Sequence, residues 1–388
     1  MFQVSKLLTT AFVASIALVT ASPVTVKRDN FGLEWISKDS SLPKVVLYNT
    51  GGTIDSTSNY STIDNVNYGS GPAFIPEYML GNYSVILEKA QIAIVDMSKA
   101  GGSSNLNSTL YFNVSKAANE HLCSEGSDIA GAVMFHGTNT EEDTFFGVDL
   151  TLNCSKPFVA TGAMRPQSYI SHDGPSNFYQ AVAVASDPKA GDRGGLVVFN
   201  DRISSAFYTI KTNGNTPDTF KALEQGNLGA CLGGQPYWYF EPSYPVARYH
   251  FDLSSMQDGN QLPHVVVLFG SQGFDTSLMY AAVANGAKGI VIMGAGAGQL
   301  STDAVKVAGE LKAQGIPVVA SLRPVTGASA PKPFEQNYIS SGYMQAGKAR
   351  IQLQLCLATG MGWEGCRDIF EKDMREVIYN DATSYYFS

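Results

Sequence analysis

Metal-binding residues are scarce in this sequence. It contains five histidines and five cysteines in 388 residues. No two cysteines have the Cys-x-x-Cys spacing of a zinc site, and the histidines are scattered without the spacing of metal ligands. We therefore expect no metal ion, and no other cofactor.

Basic charge is also in short supply. Lysine and arginine number 26 against 34 aspartates and glutamates, which gives a formal net charge of −8. The chain thus lacks the basic footprint by which proteins bind nucleic acid or anionic lipid. Apolar residues make up 44% of the chain and charged residues 15%, a balance that can bury sizeable cores. At this length we expect two domains.

An apolar run near the N-terminus is too short to span a bilayer. It covers residues 7–19, follows Lys6 and precedes a small-residue stretch that ends at Ala21. This pattern predicts a signal peptide over residues 1–21. The protein is then secreted, to the extracellular space, the periplasm or the cell wall. Five N-glycosylation sequons agree with secretion: Asn59, Asn82, Asn107, Asn113 and Asn153.

Residues 22–40 are predicted to be a propeptide or N-terminal extension, because Lys27 and Arg28 form a dibasic pair. The alternative for this pair is an ordinary charged surface. Secretion would also allow disulfides, and an odd number of cysteines leaves at least one unpaired. The residues alone leave the pairing open among five positions: Cys123, Cys154, Cys231, Cys356 and Cys366.

Short β-branched runs alternate with stretches of helical length. Strands are predicted at 45–48, 91–95, 129–135, 157–160, 196–199, 265–269, 289–293 and 317–320. Helices are predicted at 115–123, 177–186, 277–287, 301–314 and 363–377. Such alternation favours parallel sheets with helices on both faces. Residues 236–252 are dense in proline and aromatics and resemble a crossover between domains.

We therefore predict two Rossmann-like α/β domains. The larger N-terminal domain, residues 41–240, has a mainly parallel sheet and carries the catalytic residues. A linker over 241–263 leads to a smaller domain with a parallel sheet, residues 264–388. Ligands of such sheets bind beyond the carboxyl ends of the strands, so the loops there hold the candidate residues.

The first candidate is Thr53, which follows the strand 45–48 and two glycines, Gly51 and Gly52. A hydroxyl at a strand terminus can attack an acyl carbon if a neighbour removes its proton. A tight turn with a capping threonine is the alternative. The run 294–299 superficially suggests a nucleotide loop, but Gln299 stands where the third glycine is required.

Two further candidates follow later strands. Thr138 comes directly after the strand 129–135, and a helix cap is the alternative for Thr138 or Asn139. Lys211 follows the strand 196–199 at a short distance. A partly buried lysine can serve as a base or proton relay, although a lone lysine is more often a solvated surface charge.

Four motifs occur in a characteristic order. They are Thr-Gly-Gly-Thr-Ile (50–54), His-Gly-Thr-x-Thr (136–140), Gly-Ala-Met-Arg-Pro (162–166) and Lys-Thr-Asn (211–213). Together they resemble the type II L-asparaginase family, in particular its secreted fungal and yeast members, from about Leu42 to Leu357. The resemblance implies a homotetrameric amidohydrolase that converts L-asparagine to L-aspartate and ammonia through a threonine acyl-enzyme.

The resemblance also implies roles for individual residues. Four match catalytic positions: Thr53, Tyr60, Thr138 and Lys211. Thr53 would be the primary nucleophile and Tyr60 the loop tyrosine that orients or activates it. Thr138 would be the second threonine, with Lys211 as its partner. A disulfide between Cys123 and Cys154 is implied in the same way.

Substrate-binding positions are implied likewise: Gly52, Ser103, Thr138, Asn139 and Gln299. Ser103 and the backbone of Gly52 would bind the α-carboxylate of the amino-acid substrate. Gln299 would contribute an amide across a dimer interface. Glu335 is the nearby candidate for a glutamate that relatives supply from a neighbouring subunit.

Three residues depart from the family pattern. Asn139 stands where the family has an aspartate that receives the substrate ammonium, Ser104 where bacterial members carry glutamine, and Asp55 where a small uncharged residue is usual. A charged hydrogen bond contributes about 1.5–3 kcal/mol, so the amide at 139 could reduce turnover on the order of tenfold to a hundredfold. The loop from Thr53 to Tyr60 is also shorter than in bacterial relatives.

Two alternatives to an L-asparaginase follow from these departures. One is a catalytically impaired secreted relative that binds an amino acid or a partner. The other is an amidohydrolase with a shifted substrate, such as L-glutamine or a compound without a free α-ammonium.

Overall fold

A computed structural model describes residues 25–70, 75–98, 102–334 and 336–379 of the chain. The predicted leader over 1–21 and Glu335 lie outside these ranges. The helices of the described part are α1 (Ile75–Asn82), α2 (Ser108–Cys123), α3 (Glu141–Asp149), α4 (Gly174–Ala185), α5 (Ser277–Ala284), α6 (Thr302–Ala313), α7 (Ala346–Ala358) and α8 (Trp363–Tyr379).

The strands form one large sheet, one small sheet and two short ladders. In chain order they are β1 (Thr25–Arg28), β2 (Glu34–Ser37), β3 (Lys44–Asn49), β4 (Ser56–Thr57), β5 (Gly69–Ser70), β6 (Gln91–Asp96), β7 (Ile129–Phe135), β8 (Phe158–Thr161), β9 (Leu196–Phe199), β10 (Arg202–Ser205), β11 (Ile210–Lys211), β12 (Phe220–Lys221), β13 (Gly229–Leu232), β14 (Gln235–Trp238), β15 (Val265–Phe269), β16 (Gly289–Met293), β17 (Val318–Ser321) and β18 (Ile339–Ser340).

The large sheet has ten strands in the order β1-β2-β6-β3-β7-β8-β9-β10-β13-β14. Its central strands, from β6 to β9, run parallel, and the strands on either side of them pair antiparallel. In the ladder Asn49 of β3 lies opposite both Asp96 of β6 and Phe135 of β7. The loops that follow these three strands are therefore neighbours at one edge of the sheet.

The small sheet, β15-β16-β17-β18, is parallel throughout. The predicted fold class, a larger N-terminal α/β unit and a smaller C-terminal one with a parallel sheet, is confirmed. The predicted domain bounds stay a prediction. β14 overlaps the start of the segment interpreted as a crossover, and it pairs with β13 at the edge of the large sheet.

The central strand β3 is buried on both faces. Val45 and Leu47 belong to one hydrophobic core, whereas Val46 and Tyr48 belong to the core on the opposite face. A strand covered on both sides needs a continuous apolar run, which is why this strand is visible in the sequence. A third core lies between the small sheet and the helices α5 and α6.

The described part of the N-terminal extension belongs to the large sheet. β2 pairs with β6, and Trp35 is only 2% exposed. Lys27 and Arg28 lie in β1, which pairs with β2. From Thr25 onward the segment is thus paired into the large sheet, and the call of a propeptide or N-terminal extension over 22–40 stays a prediction.

Two long-range links hold other parts of the fold together. A disulfide joins Cys123, at the end of α2, to Cys154, and the remaining three cysteines are free and buried. From α7, Lys348 donates hydrogen bonds to three backbone carbonyls of the segment before β11: Ala206 (2.6 Å), Phe207 (3.0 Å) and Thr209 (2.6 Å). Among the described residues, no helix is both long and apolar enough to cross a bilayer.

Candidate active site

Two backbone turns meet at the edge of the large sheet. Gly51 and Gly52, after β3, have φ angles of +85° and +120°, which side-chain-bearing residues rarely adopt. A Cβ atom at Gly52 would lie 2.5 Å from the Cα atom of Gly137, in the turn after β7. The two turns therefore pack backbone against backbone. Thr53 and Thr138 follow directly, and both side chains are buried.

The hydroxyl of Thr53 is paired with a tyrosine. Thr53 Oγ1 donates to the Oη atom of Tyr68 over 3.0 Å. Tyr60, which the sequence analysis assigned to this role, is 80% exposed. The structure therefore replaces Tyr60 by Tyr68 as the neighbour of Thr53.

The physical reason for this correction is a short antiparallel ladder. Strand β4 begins just after Thr53 and pairs with β5, so that Thr57 lies opposite Gly69. Residues at the base of this loop, such as Tyr68, return to Thr53, whereas residues in its middle project into solvent. The sequence places two tyrosines in the loop, and only the ladder decides between them.

The second threonine is paired with a lysine. Lys211 Nζ donates to Thr138 Oγ1 over 2.9 Å and lies 3.5 Å from Asn139 Oδ1. The backbone N–H of Lys211 donates to the carboxylate of Glu142. Burial lowers the pKa of Lys211, and the neighbouring carboxylates Glu141 and Glu142 oppose this shift. A lysine in this setting exchanges protons more readily near neutral pH than a solvated one.

Glu141 is a residue that sequence reasoning missed. It opens the acidic run 141–143, a composition that suits the first turn of a helix, and α3 does begin at Glu141. Its side chain is nevertheless fully buried, and neither carboxylate oxygen hydrogen-bonds to any described residue. Burial raises the pKa of Glu141 to about 8. Nothing in the sequence distinguishes such a carboxylate from an exposed one.

Two of the departures from the family pattern touch each other. Asn139 Nδ2 donates to Ser104 Oγ over 3.0 Å. The preceding Ser103 is buried, and a Cβ atom at Gly137 would lie 2.6 Å from its Oγ atom. The side chains of Ser103 and Asn139 thus both lie beside the turn that carries Thr138.

Asp55, the third departure, is buried and its Oδ1 atom has no partner among the described residues. Burial raises the pKa of Asp55 to about 7, a hydrogen bond with Asn49 lowers it, and the charges of Asp96 and Glu77 raise it further. Near neutral pH a substantial fraction of this side chain is therefore protonated, unlike an ordinary aspartate.

We expect Asp55→Asn to stabilise the fold at about pH 8 but not at about pH 4. Between the unfolded pKa near 3.8 and the folded pKa near 7, the folded state binds more protons, so the stability that depends on Asp55 falls as the pH rises. The amide keeps the shape and carries no charge. The expected gain at pH 8 is on the order of 2 kcal/mol. Urea unfolding at both pH values measures it, and an equal effect at both would contradict this account.

Gln299 lies in the second structural unit. It is exposed, in a tight turn after β16 that is closed by paired backbone hydrogen bonds with Ala295 at 2.8 and 2.9 Å. A contribution of Gln299 across an interface stays a prediction.

Family models match both units of the chain. The model described as "Asparaginase, N-terminal" matches residues 44–244, and "Glutaminase/Asparaginase C-terminal domain" matches residues 264–370. The chain belongs to the type II asparaginase family. It is 39% identical over 335 residues to L-asparaginase 2-1 of Saccharomyces cerevisiae, covering 86% of this chain and 91% of the relative.

Two bacterial proteins extend the comparison. L-asparaginase 2 of Bacillus subtilis is 36% identical over 330 residues, covering 83% of this chain and 84% of the relative. The crystal structure of a probable cytoplasmic L-asparaginase from Campylobacter jejuni superposes with a TM-score of 0.76 at 31% identity, covering 84% of this chain and 99% of the other. The resemblance drawn from the four motifs is confirmed.

One of these comparisons overturns the predicted localisation. The Campylobacter jejuni relative is described as a probable cytoplasmic enzyme, so the prediction of a secreted protein is wrong. That prediction depended on the apolar run over 7–19, the small residues after it and the five sequons. The signal peptide and the sequons stay untested predictions of the asparaginase sequence.

Proposed function

We propose that the protein is an amidohydrolase that converts L-asparagine to L-aspartate and ammonia. The observation that carries this proposal is the pair of buried threonines on contacting turns. One threonine is hydrogen-bonded to a tyrosine and the other to a lysine. The names of the relatives, all L-asparaginases, support the same substrate.

In the first half of the reaction, Thr53 Oγ1 attacks the side-chain amide carbon of asparagine. Its proton passes to the Tyr68 hydroxyl, toward which it already points, and Tyr68 passes a proton to the departing nitrogen. The C–N bond breaks, ammonia leaves and an ester on Thr53 remains.

In the second half, water replaces ammonia. The Thr138 hydroxyl removes a proton from the water as it gives its own proton to the neutral amine of Lys211, with which it is already hydrogen-bonded. The water oxygen attacks the ester carbon, the bond to Thr53 Oγ1 breaks, and aspartate leaves as the proton returns to Thr53. The lowered pKa of Lys211 supports this use of the amine as a base.

For substrate binding we assign the α-carboxylate to Ser103 and the backbone of Gly52, with Thr138 and Asn139 beside them. We assign the protein a homotetrameric state in which Gln299 reaches a neighbouring site. A subunit interface on the surface of β15 and α5 is supported by their exposed apolar side chains: Val267, Phe269, Leu278 and Tyr280. A mass in solution equal to that of one chain would contradict the assembly.

A second candidate function is the hydrolysis of a related amide that has no free α-ammonium. Asn139 Nδ2 is engaged with Ser104, and Asn139 presents no charge to an ammonium group. An N-acylated asparagine needs no such charge. The neutral Asn139 therefore favours a substrate without an α-ammonium. The hydrogen-bonded pairs Thr53–Tyr68 and Thr138–Lys211 favour hydrolysis over a purely binding role.

Ammonia release from three substrates tests the proposal. We expect purified protein to release ammonia from L-asparagine faster than from L-glutamine or N-acetyl-L-asparagine, with one aspartate formed for each ammonia. Faster release from N-acetyl-L-asparagine would favour the second candidate. Release from none of the three, above that of heat-denatured protein, would refute an amidohydrolase of this class.

A further inference from the structure

The turn that carries Thr138 runs directly into a buried acid without a partner. Glu141 is the first residue of α3 and is fully buried. Neither of its carboxylate oxygens hydrogen-bonds within the described part of the chain. Burying a carboxyl group in this way is costly, and unsatisfied buried groups call for an explanation in function or strain. The α3 backbone here is ordinary helix, so strain does not supply one.

The position of Glu141 relates it to the catalytic pair. A Cβ atom placed on Gly162 would lie 3.1 Å from Glu141 Oε2 and 3.3 Å from Thr138 Cγ2. The carboxylate and the threonine thus flank the same small space, which only a glycine leaves open. Against the effect of burial, the positive charge of Lys211 lowers the pKa of Glu141. Among the carboxylates, Glu141 raises the pKa of Lys211 most.

The other groups around Lys211 are committed elsewhere or uncharged. Glu142 accepts the backbone N–H of Lys211 and faces the ammonium of Lys348. Asn139 offers only a neutral amide oxygen, 3.5 Å from Lys211 Nζ. Glu141 is therefore the nearby acid that is left without a hydrogen bond of its own.

We propose that Glu141 is the acidic partner of Lys211 in this chain, which has the neutral amide of Asn139 where the family motif has an aspartate. The inference rests on the proposed function. When Lys211 takes the proton of Thr138, the ammonium that forms is stabilised by the ionised carboxylate of Glu141. Glu141 touches neither substrate nor water in this account, so it is a positioning residue that acts through Lys211.

The pH dependence follows from the same arrangement. Glu141 is faced by Lys211 and Glu142, and Lys348 and Asp143 lie beyond Glu142. Only the ionised carboxylate of Glu141 stabilises the Lys211 ammonium, and burial raises the pKa of Glu141 to about 8. Asparagine hydrolysis is therefore expected to increase as the pH rises through that range.

Glu141→Gln is the first test, because it keeps the volume and removes the charge. We expect kcat to fall on the order of tenfold to a hundredfold with little change in KM, and the rise near pH 8 to disappear. Adding Asn139→Asp to this variant is expected to restore at least tenfold of the loss and to move the rise to acidic pH. Glu371→Gln, at a buried glutamate of α8 that bonds Ser340 and Arg375, is the matched control and keeps the wild-type pH profile.

A rise near pH 8 that persists in Glu141→Gln, or a double variant no faster than the single one, would overturn the proposal. A second readout does not depend on turnover. Acetylation of Lys211 at graded pH, followed by mass spectrometry, reports the pKa of its amine. We expect that pKa to fall in Glu141→Gln and to stay unchanged in Glu371→Gln. If the wild-type protein hydrolysed no asparagine but the pKa of Lys211 fell in Glu141→Gln, the proposed function would be refuted and the pairing of Glu141 with Lys211 supported. If the pKa of Lys211 did not change in Glu141→Gln, the pairing would be refuted.

Discussion

Replacing Thr53 by alanine is expected to lower kcat for asparagine hydrolysis by on the order of 10⁴-fold, because the hydroxyl proposed to form the ester is then absent. The loss concerns chemistry more than folding. The substitution removes one hydrogen bond, to Tyr68, which contributes about 1 kcal/mol of stability. Ammonia release, normalised to folded protein by circular dichroism, measures the effect.

Thr53→Ser is the matched control for this prediction. Serine keeps the hydroxyl and loses only the methyl group that holds it in one rotamer. We expect the serine variant to retain activity within about a hundredfold of wild type, and its ester to be detectable by mass spectrometry after acid quenching. An alanine variant as active as the serine variant would show that the nucleophile lies elsewhere.

Removing the hydroxyl of Tyr68 is expected to produce the second large loss. Tyr68→Phe keeps the ring in the loop but deletes the acceptor of the Thr53 proton, so we expect kcat to fall by about 10²–10³-fold with a smaller change in KM. The identical substitution at Tyr60, whose side chain projects into solvent, is the control and is expected to have no effect. Steady-state kinetics on both variants measure the difference. The opposite result would return the catalytic role to Tyr60.

The sequence predicts those parts of the site that follow buried parallel strands. β3 and β7 are continuous apolar runs, and glycines mark the turns after them, so Thr53 and Thr138 could be placed at one sheet edge from the pattern alone. Lys211 was found because it follows a strand end and matches a motif. His136, the first residue of the second motif, is fully buried, and its Nδ1 atom lies 2.8 Å from the carbonyl oxygen of Gly137.

Other parts depend on contacts that no local pattern encodes. Tyr68 reaches Thr53 through the pairing of two-residue strands, which are too short to leave a periodicity. Glu141 is an acid in the first turn of a helix, where exposure is the rule, and only tertiary packing buries it. α7 was not predicted, because polar side chains such as Lys348 and Gln352 are buried along with its leucines and no amphipathic face remains.

The hydrogen bonds of Lys348 connect the C-terminal unit to the segment before β11, so they bear on whether the N-terminal unit can be isolated as a fragment. The Lys348 ammonium, on α7 of the C-terminal unit, donates hydrogen bonds to three backbone carbonyls within the five residues that precede Lys211. All the groups proposed for acyl transfer are encoded in the first two-thirds of the chain, yet a fragment that stopped there would leave those carbonyls without the hydrogen bonds from Lys348. We therefore expect a fragment that ends before α7 to hold the segment around Lys211 less firmly than the full chain does.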